Sequence, residues 1–107
     1  MIKKVTTINP EIYNKSSGIF TDQFENVLYL KNGKFHRTNG PAVYNHLSGW
    51  EEYFIFGFRH RIDGPAISNS VLLHQNDSWY YYDIKAESKE QFYDIEWRKR
   101  IEIERFL

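Results

Sequence analysis

The chain contains no cysteine. Disulfide staples, thiolate nucleophiles and cysteine-based zinc sites are excluded, and a reducing cytosol suits the sequence better than secretion. Net charge is missing as well, because fourteen Lys and Arg balance fourteen Asp and Glu. A domain so balanced lacks the broad basic footprint of a general nucleic-acid binder, so nucleic acid is not an expected partner, and only a local basic patch is compatible with the totals. Long hydrophobic runs are absent too. Met1-Ile2-Lys3-Lys4-Val5 has no apolar stretch that could serve as a signal peptide, and nothing further along is long enough to span a bilayer. These absences predict a soluble, cytoplasmic protein that stays where it is made, with no membrane partner.

What is present is a chain of 107 residues, 41% hydrophobic and 18% aromatic, enough apolar surface for one domain to fold over residues 1–107 without a disulfide or metal. Ile, Lys, Asn, Tyr and Phe are plentiful, the usage favoured by AT-rich genomes, which bears on origin and not on mechanism.

A repeat organises the chain. Sliding it by 24 residues lays Tyr29 to Ala42, YLKNGKFHRTNGPA, over Tyr53 to Ala66, YFIFGFRHRIDGPA. Seven of fourteen positions are identical, where chance gives roughly one, and the shared glycines and proline are residue types that fix backbone shape. A decayed third copy begins at Trp79, 26 residues after Tyr53, keeps the aromatic start, places Asp83 at the turn glycine and has lost the His-Arg pair. The loop before it, Ile67 to Ser78, carries two extra residues.

Each copy reads as a hairpin. Lys31-Asn32-Gly33-Lys34 is an Asn-Gly pair between short strand-like runs, the strongest local signal for a type I′ turn, and Phe56-Gly57 should turn equivalently. Asn39-Gly40-Pro41 and Asp63-Gly64-Pro65 read as second bends, with glycine supplying an unusual φ and proline fixing the start of the next strand. The chain then runs extended through Val43 and Tyr44, turns at Leu47-Ser48-Gly49 and returns from Trp50. Equivalent positions should stack in rows, Tyr29, Tyr53 and Trp79 on one face and Leu30, Phe54 and Tyr80 on the other. Ser88-Lys89-Glu90-Gln91 has the form of a capping box and opens a helix over 88–107, with Glu96 and Arg100 as an i,i+4 pair. Phe92, Ile95, Ile103 and Phe106 fall on one face of it, and Tyr93, Trp97 and Ile101 lie elsewhere. Ile101-Glu102-Ile103-Glu104 also alternates like a strand. The predicted fold is thus mainly β: an antiparallel meander of tandem hairpin repeats, with an N-terminal segment (1–28), two full repeats and a degenerate third (29–87), and a C-terminal helix (88–107).

The pattern aromatic-x-x-Asn-Gly-Lys-x-His-Arg-x-Asp-Gly-Pro-Ala resembles the MORN-like β-repeat found in many bacteriophage and large-virus proteins. Tyr29 to Ala42 matches it almost fully, Tyr53 to Ala66 matches with Phe56 at the turn asparagine, and Trp79 to Glu87 is similar to a terminal copy. The resemblance covers about two thirds of the chain. It implies tandem repeats closed by a short helix and a non-catalytic scaffold, encoded by a phage and acting in the cytoplasm of a bacterial host. It transfers no ligand.

Two kinds of chemistry suit the His-Arg pairs. Successive strand residues face opposite ways, so His36 and His60 should share one face and Arg37 and Arg61 the other. Paired imidazoles could bind a metal or share a proton, but no third ligand follows the 24-residue register, since His46 and His74 fall outside it. Alternatively, the pairs hydrogen-bond the carbonyls of the following bends, with Arg61 paired to Asp63. The two-histidine phosphoesterase pattern needs a hydroxyl two residues after each histidine. His36-Arg37-Thr38 has it and His60-Arg61-Ile62 does not. No P-loop, nucleophile elbow or metalloprotease helix occurs, and the adjacent Glu51 and Glu52 face apart, so the expectation is a binding protein without cofactor or metal.

Binding could take several forms. Tyr44, Trp50, Tyr80, Tyr81, Tyr82 and Trp97 are residue types that dominate protein interfaces, and they suit a phage protein that inhibits a host protein such as a defence component. The Arg37 and Arg61 ladder could instead hold a small anion such as a nucleotide signal. A structural role in the virion and self-association through sheet edges are further options. Arg98-Lys99-Arg100 reads as a solvated helix face.

Overall fold

The computed structural model describes residues 2–4, 17–69 and 77–107. The rest of the N-terminal segment (1 and 5–16) and the loop residues 70–76, with His74, lie outside the described residues.

The protein is mainly β, with antiparallel hairpins followed by a helical C-terminus. The strands are β1 (Ile2–Lys4), β2 (Gly18–Thr21), β3 (Val27–Lys31), β4 (Lys34–Phe35), β5 (Val43–Asn45), β6 (Trp50–Glu52), β7 (Phe54–Ile55), β8 (Phe58–Arg59), β9 (Ile67–Asn69), β10 (Tyr80–Tyr81) and β11 (Ile84–Lys85). One sheet runs β1-β2-β3-β5-β6-β9 with β4 paired to β3, and β1 on β2 is its parallel pair.

The 24-residue period governs the hydrogen bonding as well as the sequence. Leu28 pairs with Val43 and Val27 with Tyr44, and one period later Glu52 pairs with Ile67 and Glu51 with Ser68. Each repeat therefore consists of a long first strand, a short return strand and a third strand that lies beside the first. That third strand also receives the next repeat, through Val43 opposite Glu52 and the bridge of Ile67 to Ser78.

Three hairpins carry the repeats: β3-β4, β7-β8 and β10-β11. Each turns on two residues with positive φ: Asn32 and Gly33 at 50° and 78°, Phe56 and Gly57 at 47° and 84°, Tyr82 and Asp83 at 44° and 74°. This is the type I′ signature. Phenylalanine and tyrosine adopt it at a cost of about 1–2 kcal/mol each, so something must hold those turns in place.

Burial is densest on β3, where Val27, Leu28 and Leu30 are buried, Tyr29 is half-buried and Lys31 is exposed. Phe20, Leu28 and Leu30 form one core cluster with Phe35 and Val43 packed on it. A second cluster joins Tyr81, Ala86, Phe92 and Ile101, flanked by Trp79, Tyr82, Ile84 and Trp97, and seals the third hairpin under the C-terminus.

The C-terminus is two helical segments, α1 (Lys89–Phe92) and α2 (Ile95–Phe106), and not one helix over 88–107. Ser88 caps the first, its hydroxyl accepting from Gln91 N–H at 3.1 Å. Asp94 caps the second, its carboxylate accepting from Glu96 N–H at 2.9 Å. A second cap means a second start, and α2 takes its own rotational phase. It buries Ile101 and half-buries Trp97, while Ile95, Ile103 and Phe106, placed by continuous helical counting with Phe92, are exposed. The alternating tail residues Ile101 to Glu104 are helical, and Glu96 pairs with Lys99 at 3.7 Å rather than with Arg100. Replacing Asp94 with alanine should cost about 1 kcal/mol, read as a lower urea midpoint at unchanged m-value. An unchanged midpoint would mean that α2 is positioned by packing alone. None of the described helices is long and apolar enough to cross a membrane.

Candidate functional site

The His-Arg pairs sit where one repeat meets the next. His36 Nδ1 accepts a hydrogen bond from Phe56 N–H at 3.0 Å, and its ring stacks on the Phe56 ring at 4.3 Å and 28°. One repeat later His60 Nδ1 accepts from Tyr82 N–H at 3.0 Å, stacked on Tyr82 at 3.9 Å and 26°. Each histidine thus holds the first left-handed residue of the following turn by both its amide and its ring. Backbone bonds reinforce the docking. Gly57 N–H donates to Phe35 O at 2.8 Å and Arg37 N–H to Phe54 O at 3.1 Å, with Asp83 to Arg59 at 2.7 Å and Arg61 to Tyr80 at 3.3 Å as counterparts.

The first hairpin has no preceding histidine, and its turn amide, Asn32 N–H, donates to Ser17 Oγ at 2.9 Å instead. At the other end, Ala86 occupies the histidine position of the third copy. Its amide donates to Trp79 O at 2.9 Å, as His36 and His60 donate to Tyr29 and Tyr53, yet its small side chain lies buried in the cluster beneath the helices. Among the described residues, helices α1 and α2 and not a fourth hairpin follow it. Glu87, at the arginine position, has its N–H taken by Gln91 Oε1 at 2.7 Å, so the capping segment closes the array. A histidine is present wherever a next hairpin must be held.

The arginines serve the bend within their own repeat. Arg37 Nε donates to Asn39 Oδ1 at 3.1 Å and Nη1 to Pro41 O at 3.1 Å, and its guanidinium lies 4.1 Å over the Tyr29 ring. Arg61 repeats this with Asp63 Oδ1 at 3.3 Å, Pro65 O at 3.2 Å and Tyr53 at 4.1 Å. Asp63 is 84% exposed, so the ion pair contributes little by itself. The sequence suggested that Gly40 and Gly64 supply an unusual φ. Neither has positive φ. A Cβ at Gly40 would lie 2.8 Å from Arg37 Cζ, and one at Gly64 2.9 Å from Arg61 Cζ. These glycines make room for a flat guanidinium. The histidines, for their part, meet the turn amide of the next repeat and not the carbonyls of their own bend.

Burial favours the neutral form of both imidazoles. It lowers His36, assisted by Lys31, and takes His60 down to about 4, with Arg98 adding to the effect and Glu102 opposing it. Among the described residues no group of three or more His, Asp or Glu could hold a metal ion.

The aromatic residues suggested as an interface are mostly engaged in packing. Tyr81 is buried, and burial together with its 2.9 Å hydrogen bond to Glu102 raises its phenol to about 12. Tyr82 is held between His60 and Phe106, and Trp97 packs on the C-terminal core. Tyr44 lies 6.5 Å from Tyr29, Trp50 Nε1 donates to Glu52 at 2.8 Å, and Tyr80 is half-buried near Arg59. Nor is the basic run uniformly solvated. Arg98 donates to Phe92 O at 2.7 Å and to Ile62 O at 2.8 Å and stacks over Phe92 and Tyr81, tying α2 to the second bend. Lys99 and Arg100 are exposed.

Two features escaped sequence reading. A cleft of about 510 Å³ opens between the two Gly-Pro bends, lined by Arg37, Thr38, Tyr53, Ile55, His60, Arg61 and Ile62 among others. On α2, Ile95 and Ile103 are 66% and 55% exposed, and helical spacing places them on one side with Lys99 and with Phe106, whose ring packs on Tyr82. No protein-family model, no curated protein and no solved structure matches the chain.

Proposed function

We propose that this chain is a non-catalytic binding protein that engages another protein through the outward side of α2. The observation that carries the reading is the exposed stripe of Ile95 and Ile103, two turns apart on α2. Its residues stand exposed on a helix whose other side is fixed by Trp97, Arg98 and Ile101. Apolar residues displayed on a rigid, capped helix lose little entropy on docking, and that favours affinity. With the His-Arg pairs engaged in holding the repeats and their bends, they are better read as scaffold than as contacts for a protein partner. The resemblance to phage and large-virus repeats makes a host protein, and within that class a defence component of a bacterial cytoplasm, the first partner to seek.

Affinity capture from bacterial lysate, run with the wild type and with Ile103→Glu, tests this. One dominant protein should be retained by the wild type, and its recovery should fall by about tenfold or more with the variant. Ile103 is exposed, so the melting temperature should stay the same. Equal recovery by both chains, or no retained protein, would overturn the reading.

A further inference from the structure

The cleft between the bends presents hydrogen-bond donors and few acceptors. Arg37 and Arg61 each spend Nε and one Nη1 bond on their own bend, and no described residue accepts from Nη2 of either. Tyr53, half-buried between them, makes no hydrogen bond through its hydroxyl with any described residue, and neither does Thr38 on the rim. Burial raises the Tyr53 phenol, Arg61 and Arg37 pull it back, and Glu51 and Asp63 add to the rise, so the phenol stays protonated and able to donate.

His60 adds the decisive group. It is 6% exposed and lines the cleft. Because Nδ1 accepts from Tyr82 N–H, the proton of the neutral ring resides on Nε2. No described residue accepts from Nε2. Repeat docking thus selects the tautomer that turns a nearly buried imidazole into a donor. Among the acceptors in the lining, Asn39 Oδ1 and Asp63 Oδ1 are bonded to the arginines, and the Asp63 side chain is largely in solvent. Two guanidiniums outweigh that one carboxylate, and Ile55 and Ile62 give the walls an apolar part.

We propose that this cleft is a binding site for a small organic phosphate. Its phosphoryl oxygens accept from Arg37, Arg61 and His60 Nε2, and its carbon body lies against Ile55 and Ile62. Fixed, planar donor forks suit a phosphate, and the volume suits a ligand with a body rather than a bare ion. The site shares no residue with the α2 stripe and stands independently of the protein-binding reading.

The test is titration of isotopically labelled full-length protein at pH 7 with phenyl phosphate and with inorganic phosphate, at constant ionic strength. Side-chain resonances of Arg37, Arg61 and His60 should shift saturably with phenyl phosphate, and inorganic phosphate should bind about tenfold more weakly because it leaves the isoleucines uncovered. In the bound state His60 should titrate at a higher pH than in the free protein, because an adjacent dianion favours the imidazolium. Thr38→Glu puts a like charge at the mouth without removing any observed hydrogen bond, and should weaken binding by about tenfold or more at unchanged melting temperature. No saturable shift, shifts reproduced by sodium chloride, or equal binding by Thr38→Glu would overturn the site. Equal affinity for the two phosphates would overturn the organic ligand class.

Discussion

Lowering the pH from 6.5 to 4 is expected to remove about 3 kcal/mol of folding stability through His60 alone. Burial first, and then Arg98, press its folded-state value down to about 4 against the opposing pull of Glu102, whereas the unfolded chain titrates near the ordinary 6.5. The native fold therefore uses the neutral ring. The contribution is complete above pH 6.5, declines as the unfolded chain begins to take up the proton, and is fully lost once the folded ring also protonates near 4. Geometry explains why the native state refuses the proton. A protonated Nδ1 would face the Tyr82 N–H donor at 3.0 Å, and a charged ring would lie 94% out of water, beside Arg98. His36 should act in the same direction. Urea unfolding at pH 7.5, 5.5 and 4.5 measures the slope, and His60→Asn isolates it. Asparagine can offer an oxygen to Tyr82 N–H but has no proton to gain in this range. The variant should be less stable at pH 7.5, having lost the ring stack, and should lose much less stability toward pH 4.5. A variant with the wild-type slope would show that carboxylates, and not this imidazole, set the acid response. Amide exchange at Tyr82 should accelerate in step with the loss.

The histidine also marks where sequence reading stops. The hairpins were legible because a type I′ turn has a local signature at Asn32-Gly33, and the repeat carried that signature over 24 residues to Phe56-Gly57 and over a further 26 to Asp83, none of which would be read as such a turn by itself. The partner of His36 was not legible. It is a backbone amide twenty residues away, carries no side-chain identity, and matters only because Phe56 is held in a left-handed conformation. The loss of His-Arg from the third copy, unexplained as sequence, follows once Ala86 is seen beneath a helix with no hairpin left to hold. The helix face was misjudged for a different reason. Counting at 100° per residue assumes one continuous helix, and Asp94 begins a new one, so Phe92 carries no phase information for Ile95 and beyond. The α2 stripe and the cleft follow from these two points. One depends on a phase set by a cap, the other on a tautomer set by docking.

Gly64→Ala is expected to destabilise the protein by about 2–3 kcal/mol, and Gly40→Ala comparably, although neither glycine has the conformation that usually demands one. An alanine Cβ at position 64 would stand 2.9 Å from Arg61 Cζ and 3.1 Å from Nε and Nη1, so the guanidinium must leave its place. Moving it forfeits the charge-assisted bond to Pro65 O, worth about 1.5–3 kcal/mol, and the stacking on Tyr53, worth about 0.5–1 kcal/mol, with the exposed Asp63 pair adding little. Part of that loss is recovered because the freed arginine returns to water, which keeps the expectation below the sum. A double-mutant cycle separates this account from a backbone one. If the glycine exists to admit the guanidinium, Gly64→Ala should be nearly neutral in an Arg61→Ala background, where nothing remains for the methyl group to displace. If it costs the same with or without the arginine, the bend itself requires glycine and the stacking is incidental. The same cycle bears on the cleft. Arg61 lines it from the position that Gly64 permits, so Gly64→Ala should abolish the phenyl phosphate response at a temperature where the variant is still folded. That loss would tie the ligand site to a guanidinium held in one place by a residue that never touches the ligand.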